Sequence, residues 1–338
     1  MDFVLLKKNT FYFVIICLLL GSLNAQNNNY KSYHTSINKA KSFKNLDSTI
    51  FHYEKAFKAA NPFVKDLKSL AYNYFKKGDL KNSDKYFIMS IDYGYQFEDD
   101  ENFKKLPYKV NYQNGFIFQY ENSKSPYASF IKTMVARNEN EMRERRKKFI
   151  DAIDIIQDEI YEVLLQNEYY FQEVRLNLLP NKGIEETEYK AVAKYLSSGN
   201  SYLMLDLLKT NKFPNRRLVS RFNNQSISIL LNHAIAGFIN KEDAKEFIDF
   251  LWLEVERGNI TPPEYAKAYD HYVNWYIDNE STYYGTTLYM PEGFDKPLYM
   301  DVLFPEKLNE LRNDIWLVSI EEEAAMTGFQ LPLNYKKQ

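Results

Sequence analysis

A chain of 338 residues is long enough for two domains, and its 45% apolar content supplies a sizeable core that excludes wholesale disorder. With 43 basic against 45 acidic residues, the net charge of −2 removes the electrostatic case for nucleic-acid binding. The single cysteine, Cys17, lies in the first 25 residues, so a chain without them has no disulfide, no thiol nucleophile and no zinc–thiolate site. Aromatics reach 16%, with 28 Tyr and 24 Phe. Such a surplus suits groove linings and stacked helix faces, or reflects an AT-rich genome.

Residues 1–25 read as an export signal: Lys7 and Lys8, the apolar run 11–20, then Ser22 to Ala25 as a small-residue cleavage region. The run is short for a membrane span. The bulky Val14-Ile15-Ile16 before Cys17 speaks against a lipoprotein signal. The expected location is therefore periplasmic or secreted, with no stable membrane span after cleavage.

Over residues 30–95, Thr49, Tyr53 and Ala56 recur 34 positions later as Ser83, Phe87 and Ser90, with Leu70-Ala71, Tyr74 and a Lys77-Gly78-Asp79 turn between them. This pattern resembles degenerate tetratricopeptide repeats, whose helical hairpins stack because one hairpin cannot bury both of its faces. The resemblance implies either a surface for a protein or peptide partner, or a brace for the C-terminal part of the chain.

Residues 97–125, punctuated by Pro107 and Gly115, predict an irregular connection or a further imperfect hairpin. One long helix is predicted over 128–178, with Ile150, Ile153, Ile156, Ile160, Val163 and Leu164 as its buried stripe. Arg143, Arg145 and Arg146 beside Glu141 and Glu144 read as its solvated, ion-paired face. Two further helices are expected over 185–196 and 201–208, separated by Ser198-Gly199-Asn200. A loop with Arg216 and Arg217 precedes a helix over 225–239 that is apolar nearly all round. Asn240 with Asp243, and Thr261-Pro262 with Glu264, are helix starts, and Gly258 is a stop. The tail predicts a strand over 298–304, a short helix over 306–312 and a solvated helix start at Glu321-Glu322-Glu323. The fold class is therefore mainly α: residues 26–135 form a repeat region, and residues 136–338 form a helical domain with a short strand or irregular tail.

Chemistry concentrates between residues 232 and 287. His233 stands one turn before Gly237, whose missing side chain leaves either a pocket or room for close helix packing. Asp270 projects at the edge of the stripe made by Tyr265, Tyr269, Tyr272, Val273 and Tyr276. A half-buried carboxylate there needs a partner and has a raised pKa, which makes it the better candidate for acid–base work. His271 projects towards Lys267 and Asp278, where solvent is expected. In Tyr284-Gly285-Thr286 the glycine permits a turn whose amides and hydroxyls can hold a carboxylate, phosphate or sugar.

Residues 146–290 also resemble a family of uncharacterised bacterial domains frequent in exported proteins. Its pattern is a polar residue with His-Ala on one helix, an Asp-Arg pair on a later one, and a final Tyr-Gly-Thr. Asn232-His233-Ala234, Asp270 and Tyr284-Gly285-Thr286 fit, whereas His271 stands at the arginine position, Ile235 replaces an acid and Thr282 replaces a glutamine. The resemblance implies a shared site made of His233, Asp270, Tyr284, Gly285 and Thr286.

Two functions remain open from sequence. One is a noncatalytic envelope binding or scaffold protein with a small polar pocket. The other is a hydrolase-like enzyme using Asp270 with His233 as its helper, for which no nucleophile elbow, His-Glu-x-x-His helix or phosphate-cradling loop is present. No cofactor and no metal site is predicted.

Overall fold

Apolar residues at three- and four-residue spacing dominate the chain, and the computed structural model is accordingly mainly α, with four two-residue strands near its end. It describes residues 29–95, 126–178, 186–219, 227–290, 293 and 295–336. The expected signal segment and the connection over 97–125 lie outside these residues. Among the described residues no helix is long and apolar enough to cross a membrane.

Four helices of similar length open the fold: α1 (Tyr30–Ser42), α2 (Leu46–Ala59), α3 (Val64–Lys77) and α4 (Leu80–Asp92), with α1 packed on α2 and α3 on α4. Asn45 and Asp79 cap α2 and α4 with their side chains, and Gly78 ends α3 in the left-handed conformation at φ +81°. The recurring positions are the buried ones, since Thr49, Tyr53, Ala56, Ser83, Phe87 and Ser90 are all at most 7% exposed. Small residues there bring the helix axes together. Ser83 meets its own polar requirement by donating to the Ala71 carbonyl at 2.9 Å.

Helix α5 (Pro126–Asp151) closes this core with Phe130, Met134 and Met142, and so runs unbroken across position 135. Its outer face carries the expected pairs, Arg143–Glu139 and Arg145–Glu141, each at 2.9 Å. Arg146 departs from that pattern: it is buried, with its guanidinium over Phe149.

The predicted 128–178 helix is two helices, α5 and α6 (Ile155–Leu178). Asp154 ends the first path because its carboxylate caps the second, accepting from Gln157 N at 3.1 Å, while its own N–H goes to the Leu218 carbonyl. The break resets the helical phase. Ile156 and Val163 are therefore 70% and 46% exposed rather than buried, and Tyr161, Leu164, Leu165, Glu168 and Phe171 turn inward.

The opposite correction applies next. The predicted pair of helices is one, α7 (Glu186–Lys209), continuous through Gly199. A mid-helix glycine costs about 1 kcal/mol, a cost matched by tertiary bonds on both sides. Asn200 Nδ2 donates to the Leu164 carbonyl of α6 at 2.9 Å, and Ser201 Oγ donates to the Ala234 carbonyl at 2.7 Å.

Helices α8 (Ile227–Gly237), α9 (Lys241–Arg257) and α10 (Pro262–Tyr276) then pack with α7 as the main core. The three- and four-residue apolar spacing along α9 puts Ala244, Phe247, Ile248, Leu251 and Val255 fully inside, with Trp252 half-buried at the edge of the same stripe. Asn240 caps it through Asp243 N at 2.8 Å, but the Asp243 carboxylate takes the Tyr202 hydroxyl and the Asn240 amide in place of a reciprocal backbone bond. Thr261 and Glu264 form the expected box on α10.

The tail is a small third core of Tyr299, Val302, Leu308, Ile320 and Tyr335. In place of one strand over 298–304, β1 (Ser281–Thr282) pairs in parallel with β4 (Asp301–Val302), and β2 (Leu288–Tyr289) pairs antiparallel with β3 (Leu298–Tyr299). Helices α11 (Leu308–Asp314) and α12 (Ile320–Thr327) complete it. The glutamate run at the start of α12 is partnered as well as solvated: Glu321 accepts from Tyr335 Oη at 2.6 Å, and Glu323 takes the buried Arg312 guanidinium.

One tail residue, Trp316, packs against both the hairpin core and the α7–α10 core. Its ring lies 6.0 Å from that of His34 and 5.0 Å from that of Trp252, and its carbonyl accepts from Asn38 Nδ2 at 2.8 Å. Beside it, Tyr30 fills the place of the side chain that Gly258 lacks; a Cβ on Gly258 would sit 2.0 Å from the Tyr30 ring.

Gly237 offers a clean test of the α7–α8 contact. A Cβ there would meet Ser197 backbone carbon at 2.6 Å and Ser201 Oγ at 2.3 Å. Backbone cannot yield cheaply, so Gly237→Ala is expected to lower unfolding stability by about 1–3 kcal/mol in urea denaturation, despite alanine's higher helix propensity.

Candidate functional site

The Tyr-Gly-Thr turn has the donors to hold an anion, as its sequence implies, and it does hold one: the carboxylate of Asp270. Asp270 lies on the inner face of α10 and is fully buried. Its Oδ1 accepts from Tyr283 N at 2.8 Å and Tyr284 N at 2.6 Å. Its Oδ2 accepts from Thr286 N and Thr286 Oγ1, both at 2.7 Å. Burial pushes the carboxyl above the usual range, and these four donors pull the other way.

Gly285 is required by this loop on two counts. It adopts φ +66°, and a Cβ would press on Val302 Cγ1 at 3.3 Å. The opposite side of the turn is held by Arg312, also fully buried, which donates to the Tyr284 carbonyl at 2.6 Å and to the Val318 carbonyl at 2.8 Å. Tyr284 is itself buried among Tyr265, Tyr269 and Tyr283, and burial raises its hydroxyl pKa well above the normal value. Asp270, Tyr284, Gly285 and Thr286 are thus brought together, but as a closed knot whose polar atoms serve one another.

His233 is not part of that knot. Its Nδ1 lies 2.6 Å from Glu168 Oε1 on α6, and Phe171 meets its ring edge-on at 5.0 Å. The Glu168 side chain is 8% exposed and that of His233 is 22% exposed, so the pair is sunk in the surface with the imidazole reaching water. Gly237 leaves no space beside this imidazole, because α7 occupies the room that it frees. The neighbouring Asn232 is 8% exposed and buries an Oδ1 with no hydrogen-bond partner among the described residues.

His271, expected in solvent, is half-buried, with Nδ1 sequestered and without a hydrogen-bond partner among the described residues. Burial drives its pKa down to about 4, and the charges of Lys267 and His233 push the same way. His233 on α8 thus lies near enough for its charge to act on the His271 ring on α10.

Glu168 and Arg312 escaped the sequence reading, although each left a trace. Glu168 falls in register with Tyr161, Leu164, Leu165 and Phe171, and Arg312 with Leu308 and Ile315. A charge set into an apolar stripe signals a buried partner. Two open clefts, of about 430 and 480 Å³, lie elsewhere. The first is bordered by Gln157, Phe213, Glu254 and Arg257, and the second by Lys31, Asn38, Asn313 and Trp316. Among the described residues no group of three His, Cys, Asp or Glu side chains is placed to hold a metal ion.

Replacing Asp270 by Asn puts an NH₂ group against backbone donors, and the expected loss is about 3–5 kcal/mol of unfolding stability. Arg312→Met should act on the same turn, and a double-mutant cycle in urea should give a coupling above about 0.5 kcal/mol. For His271 the folded pKa lies below the unfolded value near 6.5, so the unfolded chain binds more protons as the solution is acidified. Stability should therefore fall between about pH 6.5 and 4, and His271→Phe should remove about 2 kcal/mol of that loss in denaturation curves taken across the range. Comparison of the chain with protein-family models, with curated proteins and with solved structures gives no match.

Proposed function

We propose that this chain is an exported, noncatalytic binding or scaffold protein of the cell envelope. In this reading the hairpins brace the C-terminal module, and a small polar ligand or a partner is held there. The observation that carries the noncatalytic part is the state of Asp270: fully buried, with both oxygens doubly engaged by the chain itself. An acid–base residue must come within hydrogen-bond reach of its substrate, and this carboxylate presents no free edge. Bracing is supported by the contacts of Trp316 and Tyr30 between the two cores. Export rests on the first 25 residues.

In this reading recognition centres on the part-exposed His233 with its Glu168 partner, rather than on Asp270. A second reading has one specific observation in its favour. The 2.6 Å contact to Glu168 orients the His233 imidazole as a carboxylate orients a general base. In that hydrolase-like alternative His233, and not Asp270, takes the leading role.

Two measurements test the reading. Mass spectrometry of the protein recovered from its native host should find a chain beginning at Gln26 in the envelope or medium; a cytosolic chain beginning at Met1 would end the export claim. A thermal-shift screen of sugars, nucleotides and small carboxylates should give a stabilising compound whose effect is lost in His233→Ala and which is recovered unchanged after incubation. Turnover of the compound by wild type but not by His233→Ala would favour the enzyme reading.

A further inference from the structure

His34 sits where the hairpins meet the C-terminal module, and its chemistry has no role in the site above. It is 7% exposed, and its Nε2 is buried without a hydrogen-bond partner among the described residues. One face of the ring lies along Trp316, at 6.0 Å and 22°, while Tyr33 and Phe63 pack around it at 5.1 and 5.5 Å. Trp316 is the left-handed residue, φ +64°, of the turn that ends α11: its N–H donates to the Asn313 carbonyl at 3.0 Å, the Leu317 N–H donates to the Arg312 carbonyl at 2.9 Å, and its own carbonyl accepts from Asn38.

The charges facing His34 from every packed element are mostly cationic: Lys41 from α1, Lys65 from α3 and Arg216 from the loop after α7. Arg216 is itself laid over the Phe63 ring at 4.0 Å. Asp66 on α3 is the nearby carboxylate, and it accepts the Tyr33 hydroxyl at 2.7 Å, which in turn accepts from Phe63 N. Glu323, whose charge reaches Lys41, is paired with Arg312. Burial and the three cations together hold the imidazole neutral, well below its normal pKa.

We propose that this seam is an acid-sensitive latch, in which neutral His34 clasps Trp316 and protonation of His34 releases the hairpins from the C-terminal module. The proposal rests on the bracing reading and adds its regulation. A proton arriving on Nε2 would find no acceptor and three like charges, so the ring must reach water to carry it. Leaving its place exposes one face of the Trp316 ring and opens the side-chain contact between the two cores. The sign follows from linkage. The open state protonates near pH 6.5 and the closed state far lower, so the closed form is fully favoured above that value and loses about tenfold in its equilibrium with the open form by pH 5.5.

Hydrogen exchange of the full chain at pH 7.5 and 5.5, corrected for intrinsic rates, tests this. Peptides covering 30–42 and 313–319 should lose protection about tenfold at pH 5.5 in wild type, whereas His34→Phe, which keeps an aromatic ring but cannot be protonated, should keep it. Unchanged protection in wild type overturns the latch, as does equal loss in His34→Phe, which would assign the change to His271 or to carboxylates. Absence of seam protection at pH 7.5 in both proteins overturns bracing itself, a distinguishable result. Should His34→Phe fail to fold, histidine-labelled NMR of wild type decides. His34 must titrate together with loss of seam protection, and titration near pH 6.5 with the seam intact overturns the proposal.

Discussion

The C-terminal half depends on one buried carboxylate. Asp270 gathers three backbone amides and one hydroxyl from the segment that comes after its helix, and Arg312 grips the same segment through the Tyr284 carbonyl. Buried backbone donors in an irregular loop would each cost about 1–3 kcal/mol if left unpaired. An acidic side chain is the economical answer, because each oxygen accepts two bonds and the negative charge strengthens all four. The turn is thereby fastened to α10 on one side and to α11 on the other, and the tail core builds outward from it. Glycine at 285 is the geometric condition for this, since any side chain would strain φ and press on Val302.

This use of Asp270 changes how a constellation of polar residues should be interpreted. A nest of amides beside an aspartate can bind an external anion, or it can already be satisfied internally. Here the second holds. The Glu168–His233 pair between α6 and α8 differs from the knot in that its imidazole is part-exposed, and on α10 His271 keeps a buried Nδ1 without a hydrogen-bond partner among the described residues.

The hairpins and the module meet through shape and aromatic stacking. The Tyr30 ring enters the gap at Gly258, its hydroxyl receives Arg217 at 2.6 Å, and Trp316 bridges His34 to Trp252. Buried within this seam is His34, whose Nε2 has no hydrogen-bond partner among the described residues, the feature on which the proposed latch rests.

Local chemistry in the sequence determined a good deal. Helix class, the caps at Asn240 and Thr261, the Gly258 stop and the buried stripe of α9 all follow from spacing and side-chain type, because they depend on neighbours within one or two turns. Asp270, Tyr284, Gly285 and Thr286 were grouped, together with His233, by the family resemblance alone; the need of a carboxylate on an apolar edge for a partner was legible, but that its partner is the turn itself was not. Contacts distant along the chain were decided only by tertiary structure. Asp154 broke a helix by bonding towards Leu218, Asn200 and Ser201 carried another through Gly199, and Glu168 reached His233 from 65 residues away. A sequence displays which groups want partners; which partner each one takes is settled by the packing that brings them within about 3 Å.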